Sequence, residues 1–207
     1  MVTPIIVTPL TPPEAVDFII GWEVTSRSVY EKRYAKPTWP GGESGATIGV
    51  GYDLAHHDAD DLALDWPTLS PAARSTLATA CGKSGQAAKA LIPSLASVTV
   101  PWDAAYQCFR DRSLPKYERQ TADAFGGRLD LPPLCFGALV SLVYNRGAGM
   151  AGDSRAEMRA IRDLIAAGKL DEAPDQFRSM KRLWPTVEGL RNRREAEAVM
   201  WERGLSA

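Results

Sequence analysis

The segment Leu134 to Tyr144, LCFGALVSLVY, constrains the fold more than any other part of the chain. It is apolar on nearly every side at helical spacing, so it offers water no face and belongs at the centre of other helices. Pro132 and Pro133 precede it, and proline is tolerated at the opening of a helix but not in its interior. Gly137 and Ala138 let neighbours approach closely. With 207 residues, the chain can build one domain with a sizeable core, or two small lobes that share a long helix.

The remaining segments read as shorter helices and one small sheet. Thr11 can cap a helix with Pro12 at its first position and Glu14 in its first turn, running to about Arg27. Residues 28–52 read as a β-hairpin or small sheet with a long Pro/Gly tip. Asp58 is a plausible N-cap, and Ser70 with Pro71 marks another helix start. Ser84 can cap a helix over Gln86 to Ile92, ended by Pro93. Trp102 to Arg112 has helical spacing, and Pro115 is expected to kink or break the chain before a helix resumes over Tyr117 to Phe125. Ser154 with Glu157 makes a capping box. Leu170 to Met180 is a helix weakened by Pro174, and the last helix, near Leu190 to Arg203, ends at Gly204. The sum is α+β and mostly helical. Residues 1–11 form an extended lead and residues 12–207 a single domain, with a hairpin lobe over about 28–53 and a helical lobe over about 58–207.

Composition narrows the function. Hydrophobic residues make up 45% and charged residues 24%, as in an ordinary folded protein, so disorder is not expected. The formal net charge of -1 supplies no field to hold a nucleic acid. Cys81, Cys108 and Cys135 are odd in number and widely spaced, which argues for reduced thiols rather than a disulfide framework. The N-terminus lacks a basic stretch and its apolar run is broken by prolines, unlike a secretory signal. No run approaches the length of a membrane span. His56 and His57 beside Asp58, Asp60 and Asp61 match no metal-ligand pattern, so a solvated loop is expected and no metal or other cofactor is implied.

The chemistry concentrates between Glu14 and Asp53. Val16, Ile19 and Ile20 share a helical stripe, with Phe18 and Trp22 beside it, and Glu23 is the next position on that stripe. A carboxylate there must be desolvated, paired or used, and Arg27 is a ready i,i+4 partner. The glycine-rich run Thr47-Ile48-Gly49-Val50-Gly51-Tyr52-Asp53 allows close approach by a turn or a ligand. Glu23 facing such a hairpin would set an acid in a cleft wall. Trp39 and Trp102 can stack on sugars or fill core. Arg178, Lys181, Arg182, Arg191, Arg193 and Arg194 make a basic segment that either meets anionic peptides or phosphates or pairs with Glu195 and Glu197.

Three stretches, in order, resemble the phage-type lysozymes, the T4-like and lambdoid endolysins of glycoside hydrolase family 24. These are Glu23 with Tyr30 and Thr47-Ile48-Gly49, then Ala138 to Gly147 ending Asn145-Arg146-Gly147, then Gly189-Leu190-Arg191-Asn192-Arg193-Arg194-Glu195, similar to a Gly-Leu-x-x-Arg-Arg-x-x-Glu element. The resemblance covers roughly residues 14 to 204. It implies a lysozyme-like fold and a muramidase that cuts the β-1,4 bond between N-acetylmuramic acid and N-acetylglucosamine. Glu23 would be the acid and Thr47 the holder of a water, with Tyr30 and Asn145 near the substrate. The family's aspartate, nine residues past the glutamate, falls on Lys32 here, and an insertion from Tyr34 to Gly42 delays Thr47. Asp53, Glu43 and Glu31 compete for the second carboxylate. Glu23 acting alone, as in lytic transglycosylases, is a rival, and an inactive wall-binding domain is another. The implied partner is bacterial peptidoglycan, with no nucleic acid and no stable membrane insertion. A phage endolysin needing a holin and a delivered antibacterial toxin with an immunity protein both suit a monomer made in the cytoplasm and acting on the wall.

Overall fold

The computed structural model describes residues 11–127 and 130–207. The lead assigned to residues 1–11 therefore lies outside the described residues, except for Thr11. The chain forms two compact units, one of Ile20–Pro115 and one of Met1–Ile19 with Lys116–Ala207. The fold is α+β and mostly helical, with one two-stranded sheet among the described residues.

Helix α1, Pro13–Val24, begins the described chain. It stops well short of Arg27 because Thr25 adopts φ 67°, a left-handed turn that no helix continues. Ser26 then caps α2, Arg27–Arg33, accepting from the Val29 amide at 3.2 Å. This corrects the reading of residues 28–52 as hairpin: β structure is confined to β1, Thr47–Ile48, and β2, Tyr52–Asp53, with a bridge from Thr38 to Thr47. Four short helices follow: α3, Ala59–Asp65; α4, Pro71–Ala78; α5, Gly85–Leu95; and α6, Trp102–Cys108. Asp58 caps α3 in a full capping box, and Ser70 with Pro71 opens α4. Ser84, however, makes no side-chain cap, and α5 passes through Pro93 to Leu95.

Pro115 does not break the chain. A π-helical turn over Phe109–Ser113 joins α6 to α7, Leu114–Phe125. The Leu114 amide bonds back to Phe109, five residues earlier, so the register has already slipped where proline withholds its N–H.

In the other unit α8, Pro133–Arg146, is the buried centre, with Cys135 through Val143 out of contact with solvent. The same unit holds α9, Ala156–Ala166; α10, Ala173–Ser179; and α11, Glu188–Leu205. Helices α8 and α11 pack against each other, as do α10 and α11. Gly137 works as a close-packing site: an added Cβ would stand 2.4 Å from that of Ala15. Gly204 does the same instead of ending α11, since its Cβ would meet Cys135 Sγ at 2.8 Å. Pro174 occupies the first turn of α10, where it costs no hydrogen bond. Ser154 makes no capping box with Glu157, whose carboxylate is taken by Arg182. The three cysteines are free, and burial pushes the Cys135 thiol up to about 12.

Candidate active site

A cleft of about 460 Å³ opens in the Ile20–Pro115 unit, lined by Glu23, Val24, Tyr34, Thr38 to Pro40, Thr47, Gly49 and Gly51. The two residues carried forward as catalytic, Glu23 and Thr47, thus share one wall space although 24 positions separate them in sequence. Glu23 is half-buried in the last turn of α1. That is the negative end of the helix dipole, a poor place for a carboxylate kept only for stability. Thr25, β-branched and left-handed, turns the chain two residues after it, a conformation costing on the order of 1–3 kcal/mol and typical of functional sites. Sequence spacing carries no signal for that turn.

Thr47 is fixed from two sides. Its register partner across the hairpin is Asp53. On its other side its amide donates to Thr38 O at 2.7 Å, and the Thr38 amide donates to Thr47 O at 3.0 Å. The turn between the strands needs Gly49: φ is +59°, and a Cβ there would lie 2.5 Å from the Trp66 ring.

The other candidates fall elsewhere. Asp53 accepts from the Gly45 amide at 3.0 and 3.2 Å and from the Ala55 amide at 2.9 Å, so its carboxylate ties the hairpin base together. It does not line the cleft. Glu43 is exposed, beside Gly85 at the start of α5, and Glu31 is exposed and paired with Arg27 at 2.9 Å. Among the described lining residues, Glu23 is the one carboxylate. Tyr30 is helical and fully buried, donating to Val100 O at 2.9 Å and packing edge-on to Trp102, so it supports the unit from within. Its place as a cleft aromatic is taken by Tyr34 and Trp39. The sequence already marks Trp39 as a residue that stacks on sugars or fills core; Tyr34, at the start of the insertion, carries no such signal.

Asn145 belongs to a buried polar network in the other unit. Its Oδ1 accepts from Arg194 at 3.2 Å; Arg194 also donates to Glu197 at 2.9 Å, and Ser141 donates to the same carboxylate at 2.7 Å. Most of the basic segment is paired with carboxylates, while Arg191 donates to Lys181 O at 3.4 Å. Arg178 pairs with Glu195 and Glu202, Lys181 with Glu195, Arg182 with Glu157 and Asp153, and Arg193 and Arg194 with Glu197. A second groove of about 470 Å³ lies beside α11, but its carboxylates are spoken for: Glu14 pairs with Arg203, and Glu195 with Lys181 and Arg178. His57 stacks on Tyr52 and reaches Asp61 at 3.4 Å. Among the described residues no cluster of three or more His, Cys, Asp or Glu side chains is placed to hold a metal, and no helix is long and apolar enough to cross a membrane.

No curated protein matches the sequence. The family model for phage lysozyme matches residues 21–197, a span that takes in Glu23, the cleft hairpin, the buried central helix and the arginine pair of α11.

Proposed function

From the premise that the chain belongs to the phage lysozyme family, whose enzymes hydrolyse the glycan of peptidoglycan, we propose that Glu23 is the acid of an N-acetylmuramidase. The observation that supports this is the shared cleft: Glu23 and Thr47 line it together, with aromatic side chains beside them. Glu23 protonates the oxygen that leaves when the β-1,4 bond between N-acetylmuramic acid and N-acetylglucosamine breaks. A water held by the Thr47 hydroxyl adds to the anomeric carbon, and its proton passes to bulk water, from which Glu23 is reprotonated for the next turnover. Binding energy along the glycan positions the bond over Glu23, and the glycine turn lets backbone approach the sugar. The setting is the cell wall, reached either as a phage endolysin released through a holin or as a toxin delivered by a secretion machine and countered by an immunity protein. The protein acts as a monomer.

A second reading is favoured by one observation, that Glu23 is the one carboxylate among the described lining residues. A lytic transglycosylase uses a single glutamate as acid and then base, and the muramic acid 6-hydroxyl replaces water as nucleophile. Mass spectrometry of soluble products from purified peptidoglycan separates the two. Free reducing muramic acid ends that disappear in Glu23→Gln support hydrolysis, and 1,6-anhydro ends support transglycosylation. Turnover retained in a folded Glu23→Gln variant removes Glu23 from both.

A further inference from the structure

We infer that Trp39 is a sugar-stacking platform in the Glu23 cleft, supplied by the inserted segment, and that it holds one N-acetylhexosamine ring of the glycan next to the scissile bond. The inference rests on the glycosidase reading of the cleft.

The first support is its location. Trp39 lines the same cleft as Glu23 and Thr47 and is half-buried, whereas Trp66 and Trp201, which fill core, are 1% and 0% exposed. The second is the way the ring is held. Its Nε1–H donates to Ser44 O at 3.0 Å, and the Lys89 ammonium stands 5.1 Å from the ring centroid. The polar atom of the indole is therefore satisfied within the protein, and what remains for the cleft is apolar ring surface. The third is coupling to the site. The neighbour of Trp39, Thr38, exchanges both backbone hydrogen bonds with Thr47, so the ring keeps a set offset from that hydroxyl.

A β-linked N-acetylhexosamine presents a face of C–H groups between its hydroxyls. Stacking that face on an aromatic ring removes apolar surface from water on both partners. A ring already anchored by Ser44 and Lys89 gives up little freedom on binding, so more of that gain reaches the affinity. The insertion that separates Thr47 from the usual spacing thus adds a substrate contact at the same wall.

The test is calorimetric binding of an N-acetylglucosamine tetramer and of soluble glycan strands to the Glu23→Gln protein, which leaves the sugar intact. In that background Trp39→Ala is expected to weaken binding about tenfold or more, with Trp39→Phe restoring most of it. With Glu23 present, Trp39→Ala is expected to raise KM more than it lowers kcat. Unfolding temperature checks that the variants fold, and Trp39→Leu, which keeps bulk but not the ring, replaces Ala if Ala does not fold. Affinity and KM unchanged to within about twofold in a folded variant overturn the platform. So does failure of the Glu23→Gln protein to bind either sugar. Wild-type turnover by Glu23→Gln would instead overturn the acid assignment, while the Trp39 comparison is still read from binding.

Discussion

Two charged regions of this protein are built in opposite ways. Around α8 and α11, Arg193, Arg194, Glu197 and Ser141 are buried and bonded to one another, and the surrounding Arg178, Lys181 and Arg182 each have an acidic partner. Around the cleft, a half-buried glutamate sits at the unfavourable end of a helix, two residues before a strained threonine and beside open space. Both are written as family motifs in the sequence. The first spends its charges on holding helices together, and the second leaves an acid and a hydroxyl facing a volume that a sugar can enter. Burial, and whether a side chain lines an open volume, set the two regions apart more than the presence of a motif does.

That contrast can be broken by mutation. The largest effect is expected at the cleft, where Glu23→Gln should lower peptidoglycan turnover by about a thousandfold, as for a lost general acid, with unfolding temperature nearly unchanged. Turbidity clearing of purified walls alongside a thermal melt measures both. Loss of stability without loss of activity would place Glu23 with the scaffold.

Next comes Glu197→Ala, which leaves two buried arginines without their shared carboxylate and should destabilise the fold by about 3–5 kcal/mol in denaturant titration. A folded, fully stable variant would show that the network is not needed for stability.

Asp53→Ala is expected to cost about 2 kcal/mol, because the Gly45 and Ala55 amides lose their acceptor. It sharpens the comparison within the cleft unit itself. If Asp53 is scaffold, its loss lowers stability and lets activity follow the folded fraction. A thousandfold fall in turnover in a folded variant would return it to the catalytic group.

The smallest effect concerns acid pH. Hydrogen bonds from Lys181 and then Arg178 hold the Glu195 carboxyl below its usual 4.5. A lowered folded value means the native state releases this proton more readily than the unfolded chain. The associated stability is therefore present above about pH 4.5 and is lost as pH falls through the folded value. Glu195 is 41% exposed at its side chain, so solvent screening keeps the contribution under about 1 kcal/mol. Melting temperature against pH for wild type and Glu195→Gln should differ above pH 4.5 and converge below it; parallel curves would exclude the linkage.

Much of this was legible in one dimension. The apolar run of α8 had to be buried whichever neighbours covered it, and Ser70-Pro71 and Asp58 mark helix starts through bonds made within a few residues. Glu23 continues the stripe of α1, and the family spacing points to Thr47. These features depend on periodicity and on local hydrogen bonds, and the sequence carries both. Tertiary structure decided the rest. It made residues 27–33 a helix instead of a strand, because Thr25 turns left-handed and Ser26 caps the new helix. It passed the helix through Pro115 by way of a π turn, and used Gly204 for contact instead of termination. It bonded Asp53 to backbone amides while placing Trp39 in the cleft. Asp53 finds its amides only two and eight residues away once the hairpin closes, whereas Trp39 meets Lys89 and shares its cleft with Glu23 from distant parts of the chain, and no local pattern encodes those separations.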